Sequence, residues 1–181
     1  MRWFKDSDFI RGEVPMTKYE IRVIISSLFD KTRGDKLLEI GSGTGSVTCQ
    51  LAELGYDVTT IEFLEDAVDL THKNLERLNL NAKVIHGRAP QDLPKEHFNS
   101  CFIGGSRGGL EGIFEYLEEY METGTVVSSF IKMDNLIKTR ELMNRYGYKN
   151  IETRLIQVCH EDKLGLLKSE NPIFILKGEK L

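Results

Sequence analysis

The stretch "LLEIGSGTGSVT" (Leu37–Thr48) decides the fold. "KLLEI" (36–40) reads as a short buried strand, and "SVTCQLAEL" leads into a helix that Gly55 ends. Between them Gly41, Gly43 and Gly45 make a G-x-G-x-G turn. Glycines at such a turn let the backbone bend sharply and approach a ligand closely. The dinucleotide pattern G-x-G-x-x-G wants a third glycine at 46, where Ser46 stands, so the fit to a nicotinamide site is imperfect. A tight strand-to-helix turn with no ligand satisfies the same pattern.

Working outward, strand and helix patterns alternate. Ile21, Ile24, Ile25 and Leu28 repeat at helical spacing before the turn. After it, "DVTTI" (57–61) is a second strand, and Ala67, Val68, Thr71, Leu75 and Leu78 mark one face of a helix. "AKVIHG", "NSCFIGG" and "GTVVSSFI" read as three further strands. Leu110, Ile113, Phe114, Leu117 and Met121 form a regular apolar stripe, and a last helix over Leu136, Met143 and Tyr146 stops at Gly147. The tail carries two long β-like segments, "NIETRLIQVCH" and "NPIFILKG", joined too closely for a helix, which predicts an antiparallel pair. Repeated βα units imply an α/β fold: a mostly parallel sheet with helices on both faces, and ligands beyond the carboxyl ends of its strands.

The 181 residues suffice for one domain with a full core. A net charge of -4 argues against a protein that grips nucleic acid through its phosphates, which needs a basic face. It leaves room for a local basic pocket. Cys49, Cys101 and Cys159 are odd in number and far apart, so neither a disulfide framework nor a zinc site is expected; buried thiols are. His72, His86, His97 and His160 form no ligand pattern, and no metal site is expected. The N-terminus lacks the apolar region of a signal peptide and there is no run of 18 apolar residues to span a membrane, so the cytoplasm is the expected compartment.

"TTIEF" adds chemistry to the turn. Glu62 ends the second strand, where a carboxylate can accept hydrogen bonds from a ribose diol. The combination resembles the class I S-adenosylmethionine-dependent methyltransferases, whose sheets are Rossmann-like, seven-stranded and closed by an antiparallel C-terminal pair. The resemblance covers nearly the whole chain and implies S-adenosyl-L-methionine as cofactor. It implies that Gly41, Ser42, Gly43, Thr44 and Gly45 wrap the amino-acid end of the cofactor, that Glu62 holds its ribose and that the backbone of Ala89 meets its adenine. Many relatives carry an acid where Arg88 stands; a guanidinium cannot accept a bond from the adenine amino group.

The opening "FIRGEVPMTKYE" narrows the family. Asp6, Phe9, Ile10, Arg11, Gly12, Pro15, Met16, Thr17 and Lys18 match the D-x-x-F-I-R-G-x-x-P-M-T-K pattern of the cobalt-precorrin-6B C15-methyltransferases (decarboxylating) of cobalamin biosynthesis. "FIGGS" (102–106) and "KSENPIFI" (168–175) resemble the same family, while Arg88, Arg107 and the segment around 155–165 depart from it. The N-P-P-[FY] motif of amino-methylating enzymes is replaced by "FIGGSRGG", which reads either as a side-chain-poor floor suited to a bulky flat substrate or as a flexible loop.

The resemblance implies methyl transfer from S-adenosyl-L-methionine to C15 of a cobalt-corrinoid precursor, loss of carbon dioxide from its C12 acetate and a homotetramer. Such a transfer needs in-line placement more than a strong base, and the macrocycle is its own electron sink for decarboxylation. No catalytic side chain is assigned. The substrate's carboxylates make Arg11, Lys18, Arg107 and Lys132 candidate contacts. Thr17 is expected both to cap the first helix, in a capping box with Glu20, and to touch the cofactor. Within this reading residues 1–181 are one methyltransferase domain, with 1–20 beside substrate and cofactor. A class I methyltransferase acting on RNA or protein, or a non-catalytic S-adenosylmethionine-binding module, stays open as an alternative.

Each charge-assisted bond from Glu62 to a ribose is worth about 1.5–3 kcal/mol. Glu62→Ala is therefore expected to weaken cofactor binding by about one to two orders of magnitude in a calorimetric titration. An unchanged dissociation constant would remove Glu62 from the site.

Overall fold

Leu37 and Leu38 are adjacent and both fully buried. Successive side chains of a strand point to opposite faces, so this strand needs cover on both sides. The computed structural model, which describes residues 2–181, supplies it. Five parallel strands are laid down in turn: β1 (Lys36–Ile40), β2 (Asp57–Glu62), β3 (Lys83–His86), β4 (Ser100–Ile103) and β5 (Gly124–Phe130). β6 (Lys149–Ile156) and β9 (Ile173–Lys180) then pair antiparallel, and β9 inserts beside β5. The sheet is seven-stranded, in the order β3-β2-β1-β4-β5-β9-β6.

α1 (Tyr19–Ser27), α2 (Ser46–Glu53) and α3 (Glu65–Leu78) precede or follow the first strands; α4 (Leu110–Tyr120) and α5 (Met133–Arg145) follow β4 and β5. The alternation along each strand sorts the core. Leu38, Ile103 and Val126 pack against Phe114 and Leu117 of α4 and Leu142 of α5. Leu37, Phe102 and Val127 pack against Ile21 and Ile25 of α1 and Val47 and Leu51 of α2. A smaller cluster joins Phe4 and Phe9 of the N-terminal arm to Cys49 and Leu75. The strand order turns back on itself between β1 and β4, so the connections that leave their carboxyl ends run to opposite faces of the sheet and open a crevice there. Among the described residues no helix is long and apolar enough to cross a membrane.

Three expectations need correction. The tail strand read as "NIETRLIQVCH" stops at Ile156; β7 (Cys159–Glu161) and β8 (Leu167–Ser169) form a separate hairpin. Its turn is set by Asp162, whose side chain accepts the N–H groups of Leu164 (2.8 Å) and Leu166 (3.1 Å). Cys159 is exposed, because a two-stranded hairpin has no second layer to bury it; Cys49 and Cys101 are buried. Thr17 does not cap α1: the helix begins one residue later, with Lys18 at the N-cap and no side-chain cap bond. Glu20 then stands at the second helical position, too early to close a capping box.

Phe114 has no exposed surface and packs against the rings of Tyr146 and Tyr148 at 6.1 and 5.7 Å. Phe114→Ala should lower unfolding stability by about 3–5 kcal/mol, read as a fall in the urea midpoint at unchanged slope.

Candidate functional site

The crevice begins as a contact between two backbones. The carbonyl of Ile40, ending β1, accepts the N–H groups of both Gly104 (2.9 Å) and Gly105 (3.1 Å) beyond β4. Gly41 follows with φ +84°, and a Cβ on it would lie 2.9 Å from the Gly105 nitrogen. No other residue type fits both the left-handed conformation and the approach. α3 braces the turn from below. Thr71 meets the Ser42 hydroxyl at 2.9 Å, and Asn74 donates to the Thr44 carbonyl at 2.8 Å. The result is a rigid floor of main chain under a cleft of about 800 Å³.

Glu62 forms one wall. It is 8% exposed at the end of β2. One carboxylate oxygen accepts the Gly43 N–H at 3.1 Å; the other accepts Phe63 and Leu64 at 2.8 and 3.0 Å. Three backbone donors hold the acid in place with its edge on the cleft. The Phe63 ring stands 45% exposed beside it, with the guanidinium groups of Arg88 and Arg107 at 5.5 and 5.0 Å from its centroid.

The opposite rim is the N-terminal arm. Val14–Lys18 run along the glycine turn and line the cleft. The Thr17 carbonyl accepts from Arg22 Nη1 (2.7 Å) and from Ser46 Oγ (3.4 Å), which ties the arm to the start of α2. Beyond β5 the far wall is apolar, from Ile131, Ile156, Val158 and Ile173, with Lys132 and Asn135 among them.

The structure thus brings Thr17, Lys18, Gly41, Ser42, Gly43, Glu62, Ala89, Arg107 and Lys132 to one cleft. Thr44 and Gly45 lie behind its wall: Thr44 is buried and Gly45 is the N-cap of α2. Arg11 is exposed and is not among the lining residues. Sequence reading passed over Phe63, although an exposed aromatic next to a strand-end acid is a legible signal. It also passed over Asn135 and the apolar wall, which come from three segments distant in sequence. Arg22, buried completely, reads in sequence as a polar helix position.

Beneath the floor sits a second acid. Glu39 of β1 is 1% exposed. Burial raises its pKa from an ordinary 4.5 to about 7, against the opposing hydrogen bond donated by Thr48 Oγ1. The neighbouring Glu62 charge pushes in the same direction as burial. Glu39 is behind the cleft and braces α2 against β1 in its neutral form.

The chain is similar to known proteins in sequence and fold. Residues 8–175 match a family described as the precorrin methyltransferase domain. The chain is 38% identical to a probable cobalt-precorrin-6B C(15)-methyltransferase (decarboxylating) of Sulfolobus acidocaldarius, covering 97% of this chain and 96% of that one. It is 40% identical to the protein of the same description in Sulfurisphaera tokodaii, over 97% and 96% of the two chains. A crystal structure described as a precorrin 8W decarboxylase of Methanobacterium thermoautotrophicum superposes with a TM-score of 0.86 at 27% identity, over 97% of this chain and 98% of that one.

Glu39 makes stability depend on pH. Below about pH 4.5 the carboxyl is protonated both folded and unfolded. From there to about pH 7 the unfolded chain releases its proton while the fold retains it, so stability falls, by roughly 3 kcal/mol in all. Glu39→Gln keeps an acceptor for Thr48 and removes the titration. Thermal melts should show the variant gaining on the wild type between pH 5 and pH 8; a constant difference would mean that Glu39 ionises normally.

Proposed function

The chain belongs to the precorrin methyltransferase domain family, and from that premise we propose that it methylates C15 of cobalt-precorrin-6B and removes carbon dioxide from the C12 acetate side chain, in cobalamin biosynthesis. The observation that carries this reading is the contrast between cleft and chain. The protein is acidic, with a net charge of -4. Its cleft is lined by four cations, Lys18, Arg88, Arg107 and Lys132, against two acids, Glu62 and Glu170. Between them lies an apolar wall. A flat macrocycle edged with carboxylates matches both features: apolar area for the ring, guanidinium and ammonium groups for the rim.

The donor set fits S-adenosyl-L-methionine. The glycine turn brings the main chain of Gly41, Ser42 and Gly43 to the cleft surface, and Glu62 offers a fixed, buried carboxylate edge for a diol. In this reading Thr17, Gly41, Ser42 and Gly43 meet its amino-acid end, Glu62 its ribose and Ala89 its adenine, while Thr44 and Gly45 shape the turn from behind. Bound there, it supplies an electrophilic methyl group. The chain's own part is positional. Its floor of main chain sets the methyl donor, its cations orient the acceptor carbon in line, and its apolar wall excludes water. The conjugated ring takes the electron pair released as the acetate C–C bond breaks, so no strong protein base is required. Residues 1–181 act as one domain in this reading, with Val14–Lys18 of the N-terminal segment beside the substrate. A homotetrameric assembly in the cytoplasm belongs to the same proposal, on the family resemblance. RNA or protein substrates suit an acidic chain with this cleft poorly, and a purely non-catalytic module leaves the cationic rim without a role.

Mass spectrometry of the protein incubated anaerobically with S-adenosyl-L-methionine and cobalt-precorrin-6B should show one methyl gained and carbon dioxide lost. A methyl gain alone would remove the decarboxylation; no change alongside measured cofactor binding would overturn the substrate. Arg107→Glu and Lys132→Glu should each raise the substrate KM several-fold, with the cofactor dissociation constant unmoved; equal losses in both would point to misfolding.

A further inference from the structure

Among the described residues, Arg22 is the largest side chain with no exposed surface. A buried guanidinium is costly unless its donors are satisfied. Here Nε is buried without a partner, and the bonds made by the two terminal nitrogens go to one segment. Nη1 donates to the Thr17 carbonyl at 2.7 Å and Nη2 to the Phe4 carbonyl at 2.6 Å, with Asp6 Oδ1 at 3.2 Å. The group lies 4.7 Å from the Phe9 ring centroid and 5.9 Å from that of Tyr19. Every one of these partners belongs to the N-terminal arm or to the first residue of α1. One planar fork therefore holds the arm's beginning and its end together.

What lies between the two ends is a strap. Asn74 of α3, also fully buried, grips its middle: the Ile10 N–H donates to Asn74 Oδ1 at 2.7 Å, and Asn74 Nδ2 donates to the Ile10 carbonyl at 3.1 Å. From Ile10 the chain crosses exposed residues 11–13 and then passes the glycine turn, where a Cβ on Gly43 would lie 3.0 Å from the Pro15 carbonyl. Arg22 anchors Thr17 immediately afterwards. The fork thus fixes the cleft-facing end of the strap, Val14–Lys18, at its closest approach to the turn.

We propose that Arg22 is a positioning residue: through Thr17 it clamps the Val14–Lys18 strap onto the glycine turn, and so forms the wall that holds the amino-acid end of the methyl donor. The proposal rests on the methyltransferase reading above. Arg22 itself does not line the cleft. Its effect on the strap is carried by main chain, because its acceptor there is the Thr17 carbonyl, which no substitution at that position removes. Lysine cannot replace it, since one ammonium does not reproduce a fork that reaches two carbonyls and a carboxylate in one plane.

The test compares two ligands that divide the site. S-adenosyl-L-methionine reaches the strap; adenosine reaches only the Glu62 and Ala89 side. For Arg22→Met the dissociation constant of S-adenosyl-L-methionine should rise at least tenfold, while that of adenosine stays within twofold. Arg22→Lys should fall between wild type and Arg22→Met, and it carries the test if the methionine variant does not fold. Amide hydrogen exchange should quicken over 14–18 and stay unchanged in β1 and β2. Equal weakening of both ligands would overturn the proposal in favour of a general structural role. So would quickened exchange with both affinities intact, because the strap would then be loose without consequence. Wild-type protein that binds neither ligand would instead overturn the methyltransferase reading, and this inference with it.

Discussion

One carbonyl group, that of Ile40, organises the site. It accepts two N–H groups from the loop after β4 and so draws the ends of β1 and β4 together where the sheet's order reverses. The contact is main chain against main chain, at a distance where a Cβ on Gly41 has no room. Everything around the cleft is placed relative to this contact. The turn that follows Gly41 presents Gly43 to Glu62, and Glu62 in turn gathers the N–H groups that start toward α3. A side chain at Gly41 would part the two strand ends, and the acid, the turn and the loop would lose their common reference.

Around that contact the protein spends buried polar side chains on holding backbone. Thr71 and Asn74 of α3 support the turn, and Asn74 and Arg22 hold the N-terminal arm. Each makes hydrogen bonds to carbonyl or N–H groups that would otherwise lie unpaired in the interior, where an unmet donor or acceptor costs about 1–3 kcal/mol. The consequence for function is stiffness. A cleft whose walls are backbone anchored by buried side chains keeps its shape before any ligand arrives, which lowers the ordering cost of binding. The cations at the rim follow the opposite rule. Arg88, Arg107 and Lys132 are exposed, and two of them rest on the face of Phe63, so they can turn toward an anionic substrate with little rearrangement.

The charge distribution separates two jobs. Net negative charge over the whole chain disfavours a nucleic-acid partner, while the concentration of cations at one cleft favours a small anionic one. Glu39 shows how far the interior departs from the surface. Two residues along β1 from the glycine turn, burial and the Glu62 charge raise a carboxyl's pKa to about 7. The acid that faces the cleft is held by three backbone donors, and the acid behind it is pushed by burial toward its neutral form.

Periodicity was enough for the architecture. The parallel strands, the helices between them and the antiparallel tail pair are all local patterns of period 2 or 3.6, written along the chain in order. The glycine turn and Glu62 were legible for the same reason: a short motif and a strand-end acid lie within one βα unit and the strand that follows. What the sequence could not carry was set by partners far away. Arg22 looks like a solvated helix residue until the arm folds over it. Thr17 looks like a cap until its carbonyl is claimed by Arg22 and Ser46, which moves the helix start to Tyr19. Cys159 sits in an apolar context that ends in an exposed hairpin. Arg11, within the same motif as Lys18, stays outside the cleft that Lys18 lines. The sequence by itself determined the main elements, the glycine turn and the strand-end acid, because all of these rest on patterns within a few tens of residues. The tertiary structure alone decided which cations, which wall and which anchors meet at the cleft, because those depend on burial, and burial is a property of the packed chain.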